Sequence, residues 1–316
     1  MEKNQTYKLL DPKNDYVFHT LFREKNNRLT EAFLSSVLKE KVKIIANLDR
    51  HLDISKVTDK FGIMDLNVEL EDNTKCNIEM QVKEYDGELE RFLYYLANSY
   101  SRQLKKNVDY AEINRCINII IVNHEIKELN DIENFVTKWA MIETETKSKI
   151  LTNKFELYII ILPKVAKNYE KNQRDKLAQW GMFFAKPYSK EVKSIMEENK
   201  DIQAIADELE ILNGDYEAQR LADIREKALH DEAAALSYAK KHGLEQGLKE
   251  GLEQGMKQGL KRGIKQGIKQ GLEQAKEQAK ENMLKTAKIL LKKGMSVEDI
   301  IEATGLTKEE LLKLNG

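Results

Sequence analysis

The sequence is poor in residues that interrupt or cross-link a chain, with only 3 prolines and 2 cysteines among 316 residues. Cys76 and Cys116 lie in separate apolar runs, and the sequence contains no CxxC or Cys/His cluster. A structural zinc site and a disulfide framework are therefore not expected, and we interpret both cysteines as buried thiols in a reducing compartment. The scarcity of proline leaves room for long helices.

Long apolar runs and a net charge of one sign are also lacking. The longest runs, "INIIIV" and "LYIIIL", have the length of strands and fall far below the roughly 20 residues that a membrane span needs. The N-terminal "MEKNQTYKLLDPKNDY" lacks the apolar segment of a secretory signal, so we expect a soluble, cytoplasmic protein with no membrane partner. Lys and Arg total 52 against 53 for Asp and Glu. The overall charge therefore neither favours nor excludes a nucleic-acid partner.

The apolar pattern predicts an α/β fold, a mixed sheet flanked by helices with an all-α C-terminal extension. The predicted elements are a helix from Asp15 to about Glu40, a strand in "VKIIANL", a β-hairpin, a helix from Gly87 to about Lys106, and two strands buried on both faces, "RCINIIIVN" and "FELYIIIL". At about 150 residues per domain, the length favours two or more parts. We predict a first domain over residues 1–165, a helical region over 166–242, a repeat segment over 243–281 and a small module over 282–316.

The repeat segment has glycine at every fourth position from Gly243 to Gly271, and Leu, Met or Ile follows each glycine. In a helix, each glycine would cost about 0.8–1 kcal/mol relative to alanine. A four-residue period also drifts around a helix by about 40° per repeat. We interpret the segment as a flexible or coiled arm that makes the protein a homo-oligomer. Five basic residues without an acid between Met256 and Gln270 make DNA contact the second interpretation.

The C-terminal "SVEDIIEATGLTKEELLKL" predicts two short helices around the turn "TGLT". Ser296 and Thr307 are the predicted N-caps, each followed three residues later by an acidic residue. The surface of the second helix is acidic, which argues against binding in a DNA groove. We therefore expect a helix-turn-helix-like module for packing or protein contact.

The predicted hairpin, Met64–Leu70 and Cys76–Val82, alternates strictly between apolar and polar residues. If both apolar sets face the core, Asp65, Glu79 and Gln81 project from one face. Opposite residues of a hairpin have Cβ atoms about 4.5–5.5 Å apart, so Asp65 and Glu79 can share a cation. A hard ion such as Mg²⁺ would offset their repulsion and could activate water for attack on phosphorus. Many solvated hairpins show the same alternation, so spacing alone favours a plain solvent-exposed face.

The pattern D…ExQ across a hairpin resembles the PD-(D/E)xK nuclease core, with Gln in place of the usual Lys. The segments "LLDPKNDYVFHTLF", "NIEMQV", "ERFLYYLANSYSRQL", "FELYIIILPK", "KLAQWGMFF" and "TGLT" resemble, in order, the Rpn family of recombination-promoting nucleases, a PD-(D/E)xK family of transposases. This resemblance implies a nuclease-like fold for residues 1–165. It also implies a DNA endonuclease of low sequence specificity that uses Mg²⁺ or Mn²⁺ and promotes recombination. The alternative is an inactive nuclease fold that acts by binding DNA or a partner.

The resemblance also implies roles for individual residues. Asp65 and Glu79 become metal ligands and catalytic residues, and Gln81 takes the position of the catalytic Lys. Gln donates a hydrogen bond without bringing a charge, so its electrostatic contribution should be smaller. Two sources of the missing charge remain open, Lys83 and a second metal ion. The Met80 carbonyl is an additional candidate, as a third metal ligand, and Arg91 and Gln103 are candidates for phosphate contact. Asp15 is either a further acid of the site or a plain acid in the first turn of a helix. His19 stands where the family has Lys.

Overall fold

The computed structural model describes residues 8–48, 66–104 and 109–314. The chain divides into two compact units, Met1–Ala234 and Ala235–Gly316. The first unit contains a six-stranded sheet in the order β1-β2-β3-β4-β6-β5. Its strands are β1 (Ile44–Asn47), β2 (Leu66–Leu70), β3 (Lys75–Gln81), β4 (Cys116–Val122), β5 (Val136–Ala140) and β6 (Phe155–Ile161).

Ten α-helices occur in the described part of the chain. They are α1 (Asp15–Phe22), α2 (Asn27–Leu38), α3 (Glu88–Ser101), α4 (Val165–Lys171), α5 (Lys176–Ala185), α6 (Lys190–Glu198), α7 (Lys200–Asn213), α8 (Tyr216–Lys292), α9 (Val297–Thr304) and α10 (Lys308–Leu312). The boundary between the two units falls within α8. None of the described helices combines the length and the hydrophobicity that a bilayer crossing requires.

The sheet is mixed, which confirms the predicted fold class. β2 and β3 form the predicted antiparallel hairpin, in which Leu66 pairs with Ile78 and Val68 with Cys76. β3, β4 and β6 run parallel. Every residue of β4 is buried, as the uninterrupted apolar run "CINIIIV" predicts for a strand covered on both faces.

The edge strand β5 was not predicted. It pairs antiparallel with β6, and Val136 lies opposite Ile160. Its sequence, "VTKWA", carries only a weak apolar signal because the strand is half-exposed at the edge of the sheet. Such a strand is defined by its partner more than by its own residues.

Two apolar layers cover the sheet. On one face, α3 packs Phe92 and Leu96 against residues of β4 and β6 such as Ile120 and Leu157. The opposite face lies beneath α1, α2 and α5, whose side chains form an aromatic cluster. Its members are Phe18, Phe22, Phe33, Trp180, Phe183 and Phe184, with neighbouring ring centroids 4.9–6.5 Å apart.

The prediction of a single helix from Asp15 to about Glu40 is wrong in one respect, because this segment forms two helices, α1 and α2. Arg23 adopts an extended conformation after α1, and a short 3₁₀ turn, Glu24–Asn26, follows. The Asn26 side chain donates a hydrogen bond of 2.8 Å to the carbonyl of Leu21. This bond gives a terminal carbonyl of α1 the partner that a continuous helix would have supplied. The next helix, predicted from Gly87 to about Lys106, ends earlier, at Ser101, and Lys106 itself lies outside the described residues.

Within the second unit, the repeat segment belongs to one continuous helix, α8. A Cβ added at any of its eight glycines would meet no other atom within 4 Å, and the apolar residue after each glycine is 54–74% exposed. The end of α8 packs with α9 and α10 around Ala287, Ile300, Leu306 and Leu311. Ser296 and Thr307 cap these two short helices as predicted.

Two glycine substitutions should have opposite effects on stability. A Cβ at Gly181 in α5 would collide with Cγ2 of the buried Val165 in α4. Gly181→Ala should therefore lower the free energy of unfolding by about 1–3 kcal/mol. Gly251→Ala adds its methyl group to open space and should stabilise α8 by about 0.8–1 kcal/mol. Urea denaturation followed by circular dichroism measures both, and a neutral Gly181→Ala would contradict this packing.

Candidate active site

Glu79 is a buried carboxylate near the C-terminal end of β3. Its neighbours Ile78 and Met80 belong to the core on the opposite face, so Glu79 points towards α3. The residue is 5% exposed, and its Oε1 lies 3.2 Å from Nη2 of Arg91. Its Oε2 is buried and has no hydrogen-bond partner among the described residues. Leaving a buried polar atom unpaired costs roughly 1–3 kcal/mol, and more for a charged group.

Arg91 is held over Glu79 by two tyrosines. Its guanidinium carbon lies 4.7 Å from the ring centroid of Tyr85 and 5.4 Å from that of Tyr95. Both distances are within the range of a cation–π interaction. Arg91 and Tyr95 are one helical turn apart on α3, so the helix presents the cation and one of its supporting rings together.

Burial dominates the electrostatics of Glu79. Burial raises the pKa of this carboxyl group, and the positive charge of Arg91 only partly offsets the effect. A buried carboxylate that has one cation on one oxygen and nothing on the other is a ready ligand for a further cation. Carboxylate oxygen is the ligand that divalent ions such as Mg²⁺ prefer, and Oε2 of Glu79 is one such oxygen.

The side chains of Gln81 and Lys83 do not place a positive charge beside Glu79. Gln81 is buried, and its Nε2 donates a hydrogen bond of 2.8 Å to the carbonyl of Lys83. The ammonium group of Lys83 contacts the Leu229 carbonyl and lies 3.2 Å from a carboxylate oxygen of Glu232, both on α8. Arg91, rather than Lys83, is thus the cation that the fold brings to Glu79.

The remaining sequence candidates have partners elsewhere. The Asp15 carboxylate lies 2.6 Å from Nε of the buried Arg225 and joins α1 to α8. Gln103 accepts a hydrogen bond from the backbone N–H of Asn114 at 3.0 Å and donates one to the carbonyl of the same residue at 3.1 Å. These two bonds fix the loop that leads into β4. His19 lies in the last turn of α1.

Asp65 lies outside the described residues. The pairing of β2 with β3 is described from Leu66, which lies opposite Ile78. Among residues 8–48, 66–104 and 109–314, no three His, Cys, Asp or Glu side chains are grouped so as to hold a metal ion.

Sequence reasoning missed several polar residues on the same face of the sheet. Asn77 of β3 donates a hydrogen bond of 2.8 Å to Oδ1 of Asn118 in β4. Beyond the end of β4, Nε2 of His124 lies 2.8 Å from a carboxylate oxygen of Glu88, the first residue of α3. One signal was available, because Asn118 is a single polar residue inside the apolar run "CINIIIV".

A family model described as PD-(D/E)XK nuclease family transposase matches residues 12–239. The chain belongs to this family. The match to the PD-(D/E)XK transposase model covers more than half of the chain and includes β3, α3 and the pair Glu79–Arg91. PD-(D/E)XK nucleases generally use divalent metal ions. Comparison with curated proteins and with solved structures found no match.

The raised pKa of Glu79 predicts an unusual stability effect. In metal-free buffer at pH 7, Glu79→Gln should raise the melting temperature, because ionising the buried carboxyl group destabilises the wild-type fold. A folded-state pKa above the unfolded one gives stability that is full at low pH and lost as the pH rises. The difference between variant and wild type should therefore shrink below the ordinary pKa of 4.5. Thermal unfolding at pH 4–8 measures the effect.

Glu156 provides the matched control, since it is equally buried but fully paired. Burial alone would raise the pKa of its carboxyl group, but hydrogen bonds from Lys138 and Arg115 lower it. Its ionised form therefore stabilises the fold above pH 4.5, and this stability is lost at lower pH. Glu156→Gln should lower the melting temperature at pH 7. Equal losses in both variants would show that Glu79 is an ordinary paired carboxylate.

Proposed function

We propose that the protein is a metal-dependent DNA endonuclease in which Asp65 and Glu79 hold Mg²⁺ or Mn²⁺ beside β3. One observation carries the proposal: the buried Oε2 of Glu79 has no partner among the described residues. A divalent cation would satisfy this oxygen and remove the electrostatic cost of its burial. Membership of a PD-(D/E)XK nuclease family supports the proposal independently.

The sequence supplies the argument for Asp65. Asp65 directly precedes Leu66, and Glu79 directly follows Ile78. Leu66 and Ile78 are opposite partners in the antiparallel hairpin. We propose that the two acids continue this register and provide carboxylate oxygens from neighbouring strands, with the Met80 carbonyl as a third ligand.

A bound divalent ion would polarise a phosphate oxygen and lower the pKa of a coordinated water. The protein's own residues would then orient the phosphodiester and stabilise its charge. Arg91 is the cation fixed beside Glu79, so we assign to it the electrostatic role that Lys has in related nucleases. Gln81 lies two residues further along the same strand and offers an amide for hydrogen bonding to water or phosphate. Low sequence specificity and a role in recombination are proposed from the resemblance to the Rpn family.

A second candidate function is DNA or partner binding without turnover. Two contacts favour it: the amide of Gln81 donates to a backbone carbonyl, and the ammonium of Lys83 is held by α8. Neither side chain presents a free positive charge to an attacking water. If Arg91 cannot replace the missing Lys, the fold would bind substrate and release it uncut.

Removing either acid should abolish cleavage. Asp65→Ala and Glu79→Ala should each reduce nicking of supercoiled plasmid by at least about 10²–10³-fold, because each removes a ligand of the metal that activates water. The assay compares Mg²⁺, Mn²⁺ and EDTA. Glu71→Ala, which removes an exposed acid from the turn of the same hairpin, is the control and should cleave normally. Nicking retained by either acid variant refutes the mechanism, and DNA binding without cleavage by the wild type supports the second function.

We also propose that the repeat segment, residues 243–281, joins copies of the chain into a homo-oligomer. The support is a row of large apolar side chains that nothing in the described chain covers. These are Leu244, Leu248, Leu252, Met256, Leu260, Ile264, Ile268 and Leu272, each 54–74% exposed.

Polar substitution in the repeat segment should reduce the mass of the particle. Replacing Leu252, Met256 and Leu260 together with Gln removes three apolar contacts and should shift the protein towards monomer. Light scattering after size-exclusion chromatography measures the mass. Replacing Gln254 and Gln258 with Ala changes the same helix without touching its apolar row and serves as the control. An unchanged mass in the apolar triple variant would assign association to another surface.

A further inference from the structure

A cleft lies between α3 and the sheet face that carries Glu79. We name it the polar cleft; it has a volume of about 650 Å³, within the usual size range of small-molecule sites. Its lining includes three asparagines, two tyrosines and an arginine: Asn67, Asn77, Asn118, Tyr94, Tyr95 and Arg102. The proposed function uses none of these side chains except Tyr95, which supports Arg91.

A row of asparagines forms the floor of the polar cleft. Asn67, Asn77 and Asn118 are opposite one another on β2, β3 and β4. Asn77 donates to Oδ1 of Asn118, which leaves Oδ1 of Asn77 and Nδ2 of Asn118 buried and without a partner among the described residues. Asn118 is only 1% exposed. One hydrogen-bond acceptor and one donor without a described partner therefore lie side by side in the floor of the cleft.

This donor–acceptor pair matches the edge of a nucleobase. The amide side chains of Asn and Gln are the usual partners of base edges that present a donor beside an acceptor. In a duplex this pattern stays open only on the major-groove edge of adenine, whereas an unpaired base also exposes its Watson–Crick edge. A base can reach a recessed floor of this kind only after it has left the stack. The floor of the cleft therefore favours a base that is single-stranded or flipped out of a duplex.

The mouth of the polar cleft carries aromatic and positive groups. Tyr94 is 66% exposed, and its ring centroid lies 5.8 Å from that of Tyr95. Exposed aromatic rings are the platforms on which unpaired bases stack. Arg102 is exposed and forms no ion pair with the described residues, while the other cation of the lining, Lys75, is paired with Glu69 at 2.6 Å. The described lining contains no acid, which suits an anionic ligand.

The position of the cleft relative to Glu79 links it to DNA. Asn77 and Glu79 are two residues apart on the same face of β3, a separation of about 6.6–6.8 Å along the strand. This is short enough for a base in the cleft to belong to a nucleotide adjoining a phosphate at Glu79.

We infer that the polar cleft binds the unpaired base of a nucleotide next to the phosphate at Glu79, so that the substrate is DNA with single-stranded or flipped-out nucleotides. This inference rests on the proposed function, because it uses the same substrate and the same face of the sheet. It adds a class of DNA structure and assigns base binding to Asn77, Asn118 and Tyr94. It also distinguishes the protein from a nuclease that cuts only paired DNA.

The test is binding of a single-stranded oligonucleotide that contains one 2-aminopurine, measured by fluorescence in EDTA so that no cleavage intervenes. The parent protein in this test is the full-length Glu79→Gln variant, and its binding should change the fluorescence emission of the probe. Tyr94→Ala should weaken binding by about 5- to 150-fold, the effect of losing one stacked base. Asn118→Leu should also weaken it, provided that its circular dichroism and melting temperature show a folded protein. Leu93→Ala, an exposed change on the same helix outside the cleft lining, is the matched control.

The outcomes separate this inference from the proposed function. Probe binding that depends on Tyr94 and Asn118 supports the cleft even if the wild type never cleaves DNA, in which case only the nuclease proposal fails. The inference is overturned if the Tyr94 variant binds the probe as tightly as the Leu93 control and the parent protein do. It is also overturned if the parent binds the matched duplex more tightly than the single strand. If the Asn118 variant misfolds, the Tyr94 variant still decides between these outcomes, because Tyr94 is a surface residue.

Discussion

The buried contact between Glu79 and Arg91 is the interaction on which the site depends. A carboxylate that is 5% exposed needs compensation, and among the described residues Arg91 provides it on one oxygen, at 3.2 Å. Two tyrosine rings fix the guanidinium in place. The other oxygen of Glu79 has no described partner, and this incomplete compensation distinguishes the residue from Glu156, which is just as buried but held by Arg115 and Lys138.

The parallel core of the sheet positions this arrangement. β3 continues into the ladder with β4 and β6, whose residues are buried on both faces. β3 itself alternates between polar and apolar residues, and this alternation fixes its register, because a slip by one residue would move every side chain to the opposite face. Glu79 and Asn77 therefore point towards α3 for the same reason that Ile78 and Met80 point into the core.

Helix α3 supplies the other half of the site. Its apolar side, Phe92 and Leu96, packs on β4 and β6, and this contact determines where its polar side lies. Arg91 then falls beside Glu79, and Tyr94 and Tyr95 beside the asparagine row. The positive charge beside Glu79 thus comes from a neighbouring helix, while Lys83 attaches α8 to the strand end. One packing contact positions both the proposed phosphate site and the polar cleft.

The sequence by itself determined the α/β class, the hairpin, the two central strands and the C-terminal caps, because apolar periodicity and capping chemistry are local properties. It also singled out Glu79, from the alternation of the hairpin and from the resemblance, and Arg91, from the resemblance alone. Only the tertiary structure decided which polar side chains meet. Asp15 pairs with Arg225, 210 residues away, and Lys83 binds α8, 146 residues away. Such partners, like the edge strand β5, depend on how distant elements pack, and no local pattern encodes that.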